Sequence, residues 1–230
     1  MAIKSITAQR TSFPEIGILR KGARKQADRP GADLTFFRFV SEDIDANRAF
    51  LEAYGPEPCR VNVLLPFSST DENLQEWMEH WGTGSLKHRC DGATCVIWQD
   101  EAGAYHTDPI PCPSLAAGLQ GKPGGCRPTV RLQVIVPELK RLANVLVLST
   151  SWNDAVELDA NLRAAETAAR MMHIDLRGIP FTLSRVEREI STPPRHLKDG
   201  TVTQRVRAKK WLLHLEAAPS WVALQIEAAR

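Results

Sequence analysis

LTFFRFVSEDIDANRAFLEAYGPEPCRVNVLLP, residues 34–66, decides the fold class. Its first part, LTFFRFV (34–40), is dense in aromatic and β-branched residues and reads as a strand. Ser41 is placed to cap a helix that runs to Tyr54, with Glu42 and Asp43 at the positive end of its dipole. Gly55 and Pro56 stop that helix. RVNVLLP (60–66) reads as a second strand, preceded by Cys59, which reads as a lone core cysteine. Next, DENLQEWMEHW (71–81) places Leu74, Trp77, Met78 and Trp81 at helical spacing, which predicts a short helix closed by Gly82 and Gly84. The order is strand, helix, strand, helix.

Toward the N-terminus the pattern fades. Residues 1–33 carry Pro14, Gly17, Gly22, Pro30 and Gly31 among Arg20, Lys21, Arg24, Lys25 and Arg29. This reads as an extended basic arm with little structure of its own. Toward the C-terminus, residues 86–128 form a different kind of segment. Two short strands, LKHRC and TCVIWQD, lead into DPIPCPSLAAGLQGKPGGCRP. A loop of that length needs something to tie it down inside a compact domain.

Regular periodicity returns in residues 129–230. VRLQVIV (130–136) and NVLVL (144–148) read as strands. A long helix is predicted over 152–172, with Ala155, Leu158, Leu162, Ala165, Ala169 and Met172 on one face. Ser151 is its cap and Asp154 completes a capping-box-like pair. FTLSRVEREI (181–190) and WLLHL (211–215) read as strands, and 219–229 as a last helix. The expected fold is α+β, with two βαβ-like halves (34–85 and 129–230) around a zinc-binding cysteine-rich insert (86–128). The arm, 1–33, precedes them, and all four pieces form one compact unit.

Four of the five cysteines, Cys90, Cys95, Cys112 and Cys126, fall in that insert. Each lies beside turn-forming residues that let the backbone curl around a metal: DGAT between the first two, prolines flanking Cys112, GKPGG before Cys126. A structural Zn2+ takes about four Cys or His donors in a tetrahedron. The four cysteines are the candidate ligands, with His88 or His106 as replacements for Cys95. Such an ion would pin the two ends of the long loop together.

Composition sets the remaining bounds. Hydrophobic residues make up 43% and charged residues 24% of 230, with a net charge of +2. These are globular values that neither demand nor exclude nucleic acid. No apolar run reaches the roughly 18 residues that span a bilayer, and MAIKSITAQRTSF lacks the apolar core of a secretion signal. A cytoplasmic protein without disulfides is expected. No GxGxxG, P-loop, GxSxG or HExxH motif is present, so no enzymatic activity is expected. His80 and His214 read as structural, and Trp77, Trp81, Trp98 and Trp152 as core residues on apolar faces. The segment 195–210 carries Arg195, Lys198, Arg205, Arg207, Lys209 and Lys210 against Asp199 alone. It reads as a solvated hairpin, or as a contact for phosphates or an acidic protein surface.

The order of the pieces is itself informative: EIGILRKG, GADLTFFRF, a strand ending in LLPF, EWMEHW, HRCDG, a PC…GGC loop, VRLQVIVPEL, IPFTLSRVEREISTP and KKWLLHLE. Across nearly the whole chain this resembles the recombination directionality factors that partner large serine integrases in actinophages, with their bacterial and prophage relatives. The resemblance implies a non-enzymatic adaptor that binds a DNA-bound serine integrase and switches it toward excision. It implies Cys90, Cys112 and Cys126 as metal positions and supplies no catalytic residue. A different reading of the residues is a zinc-containing single-strand DNA- or RNA-binding module or nuclease, which would use the basic hairpin and Trp211.

Overall fold

The computed structural model describes residues 13–24, 31–192, 204 and 206–228. The described strands are β1 (Glu15–Gly22), β2 (Asp33–Val40), β3 (Arg60–Val63), β4 (Leu74–Trp81), β5 (Leu86–Cys90), β6 (Thr94–Gln99), β7 (Tyr105–His106), β8 (Ile110–Pro111), β9 (Arg127–Val134), β10 (Asn144–Ser149), β11 (Phe181–Thr192) and β12 (Val206–Ala217). The helices are α1 (Ile44–Tyr54), α2 (Thr70–Asn73), α3 (Pro113–Ala116), α4 (Trp152–Met171) and α5 (Pro219–Ala228), with two short 3-10 turns besides.

Among the described residues the strands form two sheets. The larger runs β2-β1-β10-β9-β4-β5-β6-β7, with β8 also on β6; the smaller runs β12-β11-β3. The fold is α+β, mostly sheet with few helices. It is not a pair of βαβ halves, because strands from both ends of the chain interleave in one sheet. β1 lies between β2 and β10 and is parallel to β10, with Leu19 opposite Val147. The expected basic arm therefore contributes a paired strand to the sheet's interior. Its alternation is concealed by Gly17, whose lack of a side chain admits the Phe39 ring: a Cβ there would sit 2.7 Å from that ring.

The second correction concerns 71–81. Only α2 is helical; Leu74 onward is strand β4, paired antiparallel to β5 and β9. The helical spacing of Leu74, Trp77, Met78 and Trp81 is coincidental, and strand alternation buries Leu74 and Met78 while Trp81 is 54% exposed. A third correction is the cap of α1. Asp43 accepts from the Ala46 amide at 2.9 Å, whereas Ser41 braces the turn by accepting from Asp43 N at 3.0 Å. Gly55 ends α1 at φ 74°, as expected.

α4 is the anticipated long helix. Ser151 caps it, and Leu158, Leu162 and Ala169 are buried. They meet the inner face of the large sheet, where Leu19, Leu132, Val134, Val145 and Val147 are buried, together with Leu183 and Leu213 of the small sheet. Each such side chain contributes about 1.5–3 kcal/mol on leaving water. Asp154 joins the layers. It is fully buried and accepts from Lys21 Nζ at 2.7 Å and from the Leu213 amide at 3.0 Å. Arg185 on β11 ties the small sheet to β2 through Asp33 and the Leu34 carbonyl, each at 2.9 Å.

The hairpin of β11 and β12 is continuous from Phe181–Ala217 to Thr192–Val206. Lys209 pairs with Glu187 at 3.0 Å, and Arg207 with Glu189 at 3.9 Å, so acids on the facing strand offset part of the expected basic patch. Lys210 is exposed on β12, and the remaining members, Arg195, Lys198 and Arg205, lie outside the described residues. No described helix is long and apolar enough to cross a membrane.

Candidate metal centre

The cysteine-rich stretch folds as a tight hairpin followed by a returning loop. Asp91 shapes the hairpin: its carboxylate accepts from the amides of Ala93 and Thr94 at 2.8 and 2.7 Å, and Gly92 takes φ 109°. Cys90 at the end of β5 thereby faces Cys95 on β6. The chain then returns past Ala93, whose carbonyl accepts from Cys112 N at 2.8 Å. After α3, turns at Gly118, Gly121 and Gly124, all with positive φ, carry it to Cys126 at the threshold of β9. Gln120 closes this loop onto the hairpin by donating to Gly92 O at 2.6 Å.

The result is one buried cluster. Cys90, Cys95, Cys112 and Cys126 are all inaccessible to solvent and pack with Met78, Trp98 and Ile110. Cys112 is at the centre: its Sγ lies 3.3 Å from that of Cys90, 3.9 Å from that of Cys126 and 3.8 Å from His88 Nε2. The donor atoms of His88, Cys112 and Cys126 all lie within 4.8 Å of one another. In a tetrahedral site with bonds of about 2.0–2.3 Å, neighbouring donors are about 3.5–3.8 Å apart. The spacing is therefore compatible with a metal ion. All five cysteines are free thiols.

Electrostatics single out Cys112. Burial pushes it up, but the amides of Leu115 and Ser114 and the Cys90 thiol outweigh that and lower it. Burial raises Cys126 and Cys90, and holds Cys95 at about 11 with help from the Cys112 charge. Packed sulfurs of this kind share little negative charge unless a cation joins them.

Ser114 adds a constraint that sequence reasoning missed. Its hydroxyl accepts from Cys126 N at 3.0 Å and also bonds His88 Nε2 at 3.1 Å, with the direction of that second bond set by which imidazole nitrogen carries the proton. With that bond intact His88 Nε2 is engaged by Ser114 rather than free for a metal. For His88 to join Cys112 and Cys126, Ser114 must release it. His106 is elsewhere, bonded to Asp100 at 2.9 Å and stacked on Trp98. Cys59 is exposed at the edge of the small sheet, not in a core. Trp152, expected in the core, is 62% exposed at the start of α4.

Fold and site together define a class: a mostly-sheet α+β protein whose cysteine-rich hairpin and loop close around a buried thiol–imidazole cluster. Residues 16–206 match the Gp3-like family, described as recombination directionality factor-like, and the chain belongs to that family. Comparison with curated proteins and with solved structures gives no match.

Proposed function

We propose that this protein is an accessory factor that binds a large serine integrase and switches it toward excision, with no catalytic activity of its own. The observation that carries this is the family match over residues 16–206. Such a switch requires only that the factor bind one state of its partner more tightly than another.

The buried cluster fits the same role as a structural zinc centre. Thiolate and imidazole donors favour zinc over the hard cations magnesium and calcium. Cys112 and Cys126 belong to both donor sets, with Cys90 and Cys95, or His88, completing the site. When bound, zinc would neutralise the thiolates and hold the loop to the hairpin. A catalytic zinc keeps an open coordination position, whereas every candidate donor here is buried. Gel filtration of the purified protein with the serine integrase encoded nearest its gene tests the partner. A co-eluting complex is expected; separate elution at micromolar concentrations, with both proteins folded, overturns the reading.

A further inference from the structure

The large sheet has a second face. Leu19, Val145, Val147, Val130 and Leu132 point into the core, so their neighbours along the strands point the other way. On that outer side lies a groove of about 1260 Å³ whose floor includes Leu146 and Leu148 of β10. Its walls are basic.

The charges there can be accounted for one at a time. Lys21 is paired with Asp154, Arg131 with Glu79, and Asp33 with Arg185. Arg20, Arg24 and Arg127 remain with no carboxylate partner among the described residues, and Arg38 reaches only the Gly22 carbonyl at 3.3 Å. Arg20 and Arg38 are directly opposed on β1 and β2. Like charges in that position destabilise a sheet. Burial and the charges of Arg24 and Arg20 lower Arg38 accordingly. The fold keeps this repulsion where an acidic residue at either position would remove it.

The distribution indicates the size of the counter-charge these arginines can take. From β2 to β9 is three strand spacings, about 14 Å. That exceeds one small anion and suits a chain of them. The residues with no carboxylate partner among those described are all arginines, whose planar fork matches phosphate oxygens two at a time. At the rim stands Trp81, 54% exposed. Its indole N–H donates to Glu79 at 2.9 Å, and Glu79 is held by Arg131 and Arg89, so the ring is held in orientation while more than half of the residue is exposed. An oriented, exposed aromatic beside a basic groove is what a stacked base requires. An acidic peptide would use the arginines but not the ring.

We infer that this groove binds a single nucleic-acid strand, its phosphates on Arg20, Arg24, Arg38 and Arg127 and a base on Trp81. The groove borders the cysteine-rich loop through Gly124, Gly125 and Arg127 and includes no residue of β11 or β12; the inference does not rest on the integrase reading.

Fluorescence anisotropy with a labelled 20-nucleotide oligo-dT tests it. Binding is expected in the micromolar range, typical of sequence-independent contacts. Four phosphate contacts predict a slope of log affinity against log salt of about −3, falling to about −1.4 in R20Q/R24Q. Both positions are exposed, so that variant should keep its fold; its melting curve confirms this. Trp81→Ala should weaken binding about fivefold or more, and Trp81→Phe should restore most of it. The charge-matched control R48Q/R60Q, away from the groove, should bind like the unaltered protein. Absence of oligo-dT binding overturns the proposal, as does equal weakening by the control. Duplex bound as tightly, with no effect of Trp81→Ala, overturns it too. Competition by poly-glutamate as strong as by unlabelled oligo-dT would assign the groove to an acidic protein instead.

Discussion

At the scale of single residues, two buried carboxylates do most of the organising. Asp154 connects β1, α4 and β12 through Lys21, its own helix and the Leu213 amide. Removing one partner of a buried charge pair leaves the other uncompensated. Asp154→Ala is expected to cost about 3–5 kcal/mol in urea denaturation, against about 1 kcal/mol for Ser151→Ala, which removes only a cap. The sequence shows Asp154 as a capping-box residue; its pairing with Lys21, 133 residues away, is set by topology. Glu79 is the second. Burial pushes its carboxyl up, but hydrogen bonds from Arg131 and Trp81, with the Arg131 charge and a bond from Arg89, hold it at about 2. An unfolded glutamate titrates at about 4.3. As pH falls, protons therefore bind the unfolded chain first, and the stability Glu79 provides is lost between about pH 5 and pH 2. Melting temperatures across that range should fall, and Glu79→Gln should start lower at neutral pH and fall less steeply.

Among the elements, those with local signals were legible and those made by distant pairing were not. β2, β10, α4, β11 and α5 carry clear periodicity, a cap or a terminating residue, and the structure places them within a few residues of expectation. β4 was misleading because LQEWMEHW satisfies a helical and a strand pattern at once; pairing with β5 and β9 decides it. β1 was concealed because its strand partner β10 is far along the chain and its inward residue Gly17 is apolar only by absence. Gly17→Ala should therefore destabilise by about 1–3 kcal/mol, through overpacking against Phe39, as read by the denaturation midpoint. The cysteine cluster was legible as a gathering of Cys90, Cys95, Cys112 and Cys126. His88 was legible as one of two alternatives to Cys95 and lies beside Cys112 and Cys126, whereas its bond to Ser114 carried no sequence signal. The loop from Cys112 to Cys126 has few apolar anchors besides the cluster. Chelation should thus open it to protease before the rest of the fold, and loss of the metal should lower the melting temperature. Cys112→Ser and Cys126→Ser should reproduce that loss. Exposed Cys59→Ser should change stability by no more than about 0.5 kcal/mol. Equal losses in all three would separate the loop's order from the metal. Elemental analysis of protein never exposed to chelator should give about one zinc per chain.

For the whole molecule, the interleaved sheet makes the cysteine-rich hairpin, the arginine groove and the β11–β12 hairpin parts of one framework. A factor that redirects a recombinase needs such a framework, since contact at one surface must hold the partner in one of its states. The affinity needed is modest: a tenfold bias between two states takes about 1.4 kcal/mol of differential binding. The central claim is that this bias reverses the direction of recombination. The most direct measurement is recombination by the purified cognate serine integrase on DNA carrying the two product attachment sites, with and without this protein. Integrase alone should leave those sites unrecombined, and adding the protein should convert them to the original pair. Unchanged, inert product sites at every protein ratio, with the integrase active on its original sites and this protein folded, would contradict the account.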